Sequence, residues 1–209
     1  VLEFTIEDLS NVDVERLRGI YEPLAESVRS LVDATIRTEA DAQTVAEVKR
    51  DIDAAVARLQ ARQLDGAFGV RVTTSGESMG WGNAVIGIRN AFAPPLMTQR
   101  DAEGRVSADF HLGAAYEGPP GHVHGGVAAM ILDHVLGEAA SVDRQPRFTG
   151  TITMRYVRPT KLGPLRTEAV QVRRDGVKTY CTGHIADAEG VTVEAEGVFI
   201  TPRWLRESQ

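Results

Sequence analysis

His124-Gly125-Gly126 opens an apolar run in which a single carboxylate, Asp133, stands nine positions after the histidine. Glycines at the start of a helix leave its first N–H groups uncovered. Those donors are unpaired and lie at the positive end of the helix dipole, so they suit an oxyanion or a polarised carbonyl. Asp133 has the opposite character. Among Val127, Met130, Ile131, Leu132, Val135 and Leu136, a carboxylate is costly unless it is hydrogen-bonded or used in chemistry. The first feature could hold a polarised carbonyl or oxyanion, and the second is a carboxylate that is usually either paired or catalytic. The bland alternatives are a tight turn with glycines for packing, and an aspartate that accepts a structural hydrogen bond.

The element carrying both groups is predicted over Gly125–Ala140. It has almost no polar side, so it is expected to be buried nearly all round. Before it, Gly118-Pro119-Pro120-Gly121 fixes the approach. Alternating or apolar strand-like segments flank it: Ala84–Phe92 and Val106–Leu112 before, then Thr149–Val157, Leu165–Arg174, Val177–Asp187 and Val191–Ile200 after. Asp175-Gly176 is a hairpin signal and Gly190 marks another turn. One helix against five or six antiparallel strands is an α+β arrangement, and a sheet curled around a long central helix is the hotdog fold.

The first part of the chain has a different period. Leu17, Ile20, Leu24, Val28 and Leu31 predict one amphipathic helix, and Val45, Val48, Ile52, Ala55 and Leu59 a second. Thr38-Glu39-Ala40-Asp41 has the capping-box form, with Thr38 expected to cap the new helix. Residues 1–66 are thus expected to form an antiparallel helical hairpin, which packs on the main domain or on a neighbouring subunit. Residues 66–83, rich in Gly, Ser and Thr, read as a junction loop, and residues 67–209 as the domain that carries the chemistry.

Composition limits the classes of function. The chain has 209 residues, 43% hydrophobic and 25% charged, with a net charge of −6. That balance disfavours a nucleic-acid partner. The longest apolar run, Val127–Leu132, is too short for a bilayer, and no signal peptide is expected. The one cysteine, Cys181, has no intrachain disulfide partner. It suits a reducing cytoplasm and reads as a small core residue. His122-x-His124 lacks an obvious third ligand, so no metal is expected. There is neither a Gly-x-Ser-x-Gly elbow nor a nucleotide phosphate loop.

The motif His124-Gly125-Gly126 with Asp133, preceded by Gly-Pro-Pro-Gly and followed by Leu136-Gly137, resembles the PaaI-like acyl-CoA thioesterases of the hotdog fold. The segment Thr149-Gly-Thr-Ile-Thr-Met-Arg-Tyr-Val-Arg-Pro159 resembles a strand of the same branch, and the likeness spans about residues 84–203. It implies hydrolysis of acyl-CoA to free acid and CoA, with no cofactor beyond the CoA of the substrate. It implies that Gly125 polarises the carbonyl and that Asp133 acts as general base or nucleophile. It also implies that Thr149 orients water or supports the carboxylate, and that His124 orients the loop or touches the carbonyl. Gly126 is expected to border the substrate.

Two spacings add expectations of their own. Gly125 and Asp133 are separated by about 12 Å along a helix axis and cannot reach one carbonyl together. The site would then be shared between subunits of a homodimer or a homotetramer built from two dimers. Arg155 lies about 20 Å along a strand from Thr149, and by strict alternation on the same face, comparable to the reach of a pantetheine arm. Arg155, Lys178 and Arg158 are therefore candidate phosphate contacts for CoA, with a solvated basic edge as the alternative. The rival functions are a non-catalytic acyl-CoA sensor and an acyl-thioester hydratase or dehydratase. Met79, Trp81, Phe92 and Met97 are candidates for pocket walls or simply for core.

Overall fold

A computed structural model describes residues 4–142 and 145–206 of the chain. Two units are distinguished. One contains the segment up to Asn83 together with Ile88–Ala91; the other contains Ala84–Gly87 and the chain from Phe92 onward.

In the first unit, α1 (Asn11–Arg37) begins at a capping box. Ser10 Oγ accepts from the Asp13 backbone N–H, and the Asp13 carboxylate accepts from that of Ser10. α2 (Ala42–Gln60) is capped by Asp41, whose Oδ1 accepts from the Thr44 N–H at 2.8 Å. Thr38, expected to cap α2, instead ends α1, and its hydroxyl accepts from the Ala40 N–H. The four-residue connection favours the cap nearer the new helix, and the carboxylate takes it. Residues 66–83 are more than a loop. β1 (Phe4–Glu7) pairs in parallel with β2 (Val70–Thr73), which pairs antiparallel with β3 (Ser78–Met79). Val14, Met79, Trp81 and Ile88 form the small core here, with Phe68 stacked on Trp81. The apolar stripes of the helices are largely uncovered: α2 has no buried residue, and Ile20, Leu24, Val28 and Ile36 of α1 are exposed.

The second unit carries a six-stranded antiparallel sheet and one long helix, α3 (Gly125–Ala140). The strands are β4 (Gln99–Arg100), β5 (Val106–Leu112), β6 (Phe148–Tyr156), β7 (Gly163–Asp175), β8 (Lys178–Asp187) and β9 (Gly190–Ile200). Their spatial order is β4-β5-β7-β8-β9-β6. The Asp175-Gly176 turn joins β7 to β8, with Gly176 at φ 55°. Ala84–Phe92 contributes no strand.

α3 lies against this sheet, as the hotdog fold requires. Ala128, Ile131, Leu132, Val135, Leu136, Ala139 and Ala140 are buried among Val106, Leu112, Ile185, Val193 and Phe199. Each large side chain so buried contributes about 1.5–3 kcal/mol. The Phe199 ring lies close over the bare backbones of Gly137 and Gly197. The expectation of burial all round is corrected, because Val127, Ala129, Met130, Asp133 and His134 are half-exposed. One face of the helix is covered by the sheet of the same chain, and the opposite face is half-exposed. Cys181 is buried in β8, where loss of hydration pushes its thiol up to about 11.

Candidate active site

The loop that leads into α3 is fixed by backbone hydrogen bonds. The Gly118 N–H donates to His122 O, the His122 N–H to Pro119 O and the His124 N–H to Tyr116 O. From the other side, the Val123 N–H donates to Thr160 O and the Leu162 N–H to Gly121 O. Two glycines are needed here for geometric reasons. Gly121 has φ 72°, in the region where a side chain is strained. A Cβ on Gly118 would stand 2.7 Å from the His124 Cα.

His124 is the N-cap of α3. Its Nδ1 accepts from the Gly126 N–H at 3.0 Å, and its carbonyl accepts from the Val127 and Ala128 N–H groups. An accepting Nδ1 places the ring proton of neutral His124 on Nε2. Among the described residues, nothing accepts from the Gly125 N–H. Of the first N–H groups of α3, Gly125 therefore offers the free donor, while that of Gly126 is already used. The Gly125 carbonyl accepts from the Tyr156 hydroxyl at 3.0 Å, and the Tyr156 ring lies where a Cβ on Gly125 would press against it.

Asp133 lies two turns further along α3. Thr149 Oγ1 donates to its Oδ1 at 2.7 Å. Strict alternation from Thr149 would put Thr151, Thr153 and Arg155 on the same face. The structure departs from that at Gly150, where the register slips: Thr149 is opposite Phe199, yet Thr151 is opposite Val198. A β-bulge of this kind shifts the residues beyond it to the other face. Thr149 consequently shares the helix-facing side with Ile152, Met154 and Tyr156, whereas Thr151, Thr153 and Arg155 line the outer face. Gly150 fits the bulge because a Cβ there would crowd Ile200 and the Val198 carbonyl.

The expected phosphate contacts are not brought to this site. Arg155 pairs across the sheet with Glu194 at 3.2 Å. Arg158 is half-buried: its Nη1 donates to Asp187 Oδ2 at 2.9 Å, and its Nη2 donates to Asp187 Oδ1 and to Gly190 O. Arg158 thereby anchors the connection whose Thr160 carbonyl holds the loop before α3. Lys161 pairs with Glu189 at 2.6 Å. Lys178, at the start of β8, is exposed and has no ionic partner among the described residues. Met79 and Trp81 are core of the first unit, and Phe92 and Met97 are exposed. Among the described residues, no three His, Cys, Asp or Glu side chains converge as metal ligands. The residue that sequence reading missed is Tyr156. Its signal in the sequence is the Tyr-x-Arg-Pro segment that begins with the last residue of β6.

The family model of the Thioesterase superfamily matches residues 120–194, the stretch from the α3 approach to β9. The crystal structure of protein RHA08564, a thioesterase superfamily protein, is 33% identical. It covers 86% of this chain and 90% of that one, with a TM-score of 0.77. The chain belongs to the thioesterase superfamily. Two curated relatives match over a shorter stretch. Acyl-coenzyme A thioesterase THEM4 of Xenopus laevis is 31% identical over 109 residues, 50% of this chain and 48% of the relative. Acyl-coenzyme A thioesterase THEM5 of Homo sapiens is 28% identical over 102 residues, 47% of this chain and 41% of the relative. The chain thus spans less than half the length of these curated relatives. As for a membrane, no helix among the described residues is long and apolar enough to cross one.

Proposed function

We propose that this chain hydrolyses acyl-CoA thioesters to the free acid and CoA. The observation that carries the reading is the pair of prepared groups on α3: a Gly125 N–H with no acceptor, and an Asp133 carboxylate oriented by Thr149. The thioesterase names of the curated relatives support the substrate class.

In this reading the thioester oxygen accepts from the Gly125 N–H, at the positive end of the helix, which favours the oxyanion of the tetrahedral intermediate. The Thr149 hydroxyl holds Oδ1 of Asp133, which leaves Oδ2 to take a proton from water. Water oxygen bonds to the carbonyl carbon, the C–S bond breaks, and the CoA thiolate leaves with the proton that Asp133 took from water. A thiolate leaves readily, so the oxyanion needs stabilisation more than the leaving group needs an acid. His124 holds the loop by capping the helix, and Gly126 borders the bound thioester.

Eight residues of helix separate Gly125 from Asp133 by about 12 Å. The reaction therefore joins Gly125 of one copy to Asp133 of a second, in a homodimer or a pair of dimers. Of the candidate phosphate contacts, Lys178 is the one whose charge is not taken up by an ion pair among the described residues, as those of Arg155 and Arg158 are. The buried lone thiol is compatible with a reducing compartment such as the cytoplasm.

The test is thiol release from a panel running from acetyl-CoA to palmitoyl-CoA plus a phenylacetyl thioester, with wild type and Asp133→Ala. Turnover by wild type that Asp133→Ala lowers by a hundredfold or more is the expected result. Binding of acyl-CoA without thiol release would replace the reading with a sensor, and an enoyl product with a hydratase.

A further inference from the structure

The clearest mismatch between sequence and surroundings is on α2, in the other unit from the one that carries α3. Val45, Val48, Ile52, Ala55 and Leu59 follow one another at intervals of three, four, three and four residues, the heptad seam of a coiled coil. Its middle, Ile52 and Ala55, is half-buried, while its ends stay open. Val48 is 42% exposed and Leu59 51%, and no residue of α2 is buried. A nineteen-residue amphipathic helix draws most of its stability from packing its apolar face, so this face calls for an occupant.

Charge and size both point to a second copy of the same helix. Reversed by a two-fold axis, Val48 meets Leu59 of the second copy, and Ile52 meets Ala55, so large residues oppose smaller ones. Asp51 and Arg58 occupy equivalent flanking positions one heptad apart. In the reversed pair, Asp51 of each helix comes opposite Arg58 of the other. Neither has an ionic partner among the described residues, whereas the nearby Lys49 and Asp53 are paired within the helix at 2.5 Å. One antiparallel pairing therefore covers the seam and also neutralises both leftover charges twice over. A foreign partner or a small ligand would require no such self-complementarity.

We propose that α2 is a self-association element, pairing antiparallel with α2 of a second copy through Val48, Ile52, Ala55 and Leu59, with Asp51 facing Arg58 across the pair. The pairing is independent of the thioesterase reading.

The test uses the full chain carrying Asp51→Cys and Arg58→Cys together. Within one helix these positions are about 10 Å apart along the axis, too far for a disulfide, and the native Cys181 is buried. Mild oxidation is expected to give a covalent dimer on a non-reducing gel, with either single variant giving at least tenfold less. Adding Val48→Glu and Leu59→Glu to the double-cysteine chain, with helicity checked by circular dichroism, is expected to reduce the dimer at least tenfold. No interchain disulfide, equal yields from the single variants, or a yield insensitive to the two glutamates would overturn the proposal.

Discussion

Thr149 donates its hydroxyl to Asp133 across the gap between β6 and α3, and the bulge at Gly150 is what turns it inward. A hydrogen bond to a charged group is worth about 1.5–3 kcal/mol. Thr149→Val is therefore expected to lower kcat by about 10- to 100-fold, with KM for an acyl-CoA little changed. Thr149→Ser retains the donor and is expected to recover most of the rate. Steady-state kinetics of the two variants checks this, and equal rates in both would separate Thr149 from the carboxylate's function.

Asp133 as a base and Asp133 as a nucleophile differ in where oxygen goes. With enzyme in excess over acyl-CoA in water enriched in oxygen-18, a base incorporates the label into the product acid during the first turnover. A nucleophile would instead form a mixed anhydride, and water attacking its aspartyl carbon would give first-turnover acid carrying an unlabelled oxygen from the aspartate. The expected result is labelled acid, because Thr149 engages one carboxylate oxygen and leaves the other for water. Mass spectrometry of the acid decides it.

Tyr156 is a positioning residue in this scheme, since it touches the Gly125 carbonyl rather than the free N–H. Loss of its hydroxyl frees the first peptide of α3 to tilt. Tyr156→Phe is expected to reduce kcat by about 3- to 10-fold, in line with a neutral hydrogen bond of roughly 1 kcal/mol. KM and melting temperature should move little. A large change in melting temperature with unaltered kcat would mark the contact as structural only.

Much of this arrangement was legible in the residues themselves. The apolar run and its glycines bounded α3 at Gly125 and Ala140, and Asp175-Gly176 located the β7–β8 hairpin. The bulge at Gly150 was not legible, because alternation continues through Thr149, Thr151, Thr153 and Arg155 as though nothing intervened. Only the register against β9 reveals that Thr149 and Arg155 lie on opposite faces. The same limit applies to charges. Arg155 and Arg158 looked available for phosphates, yet Glu194 and Asp187, more than twenty residues away, take them up. The small sheet of β1, β2 and β3 was hidden for a different reason: its strands are two to four residues long and too short to show a period.

Glu138 provides a pH test away from the catalytic groups. Burial pushes its carboxyl up, but the hydrogen bond and charge of His134, the Thr98 hydroxyl and the nearby Arg100 outweigh that and hold it below the usual range. A carboxyl depressed in the folded state adds stability that is fully present above its unfolded value and is lost as pH falls through the folded one. Urea unfolding from pH 7 down to pH 3 should therefore show wild type losing stability across the acid range below about 4.5. Glu138→Gln is expected to begin less stable at pH 7 and to lose less on acidification. Parallel curves for the two proteins would refute the assignment.

The buried Cys181 makes this chain its own stability reporter. Held at a pKa of about 11 inside β8, the only sulfur nucleophile in the sequence is chemically silent toward disulfide reagents at neutral pH while the sheet stays closed. In the proposed thiol-release assay such a reagent is therefore expected to react with free CoA thiol without a background from the folded chain. In the absence of substrate, the slow appearance of colour becomes a clock for the opening of β8, read at a single atom and without denaturant.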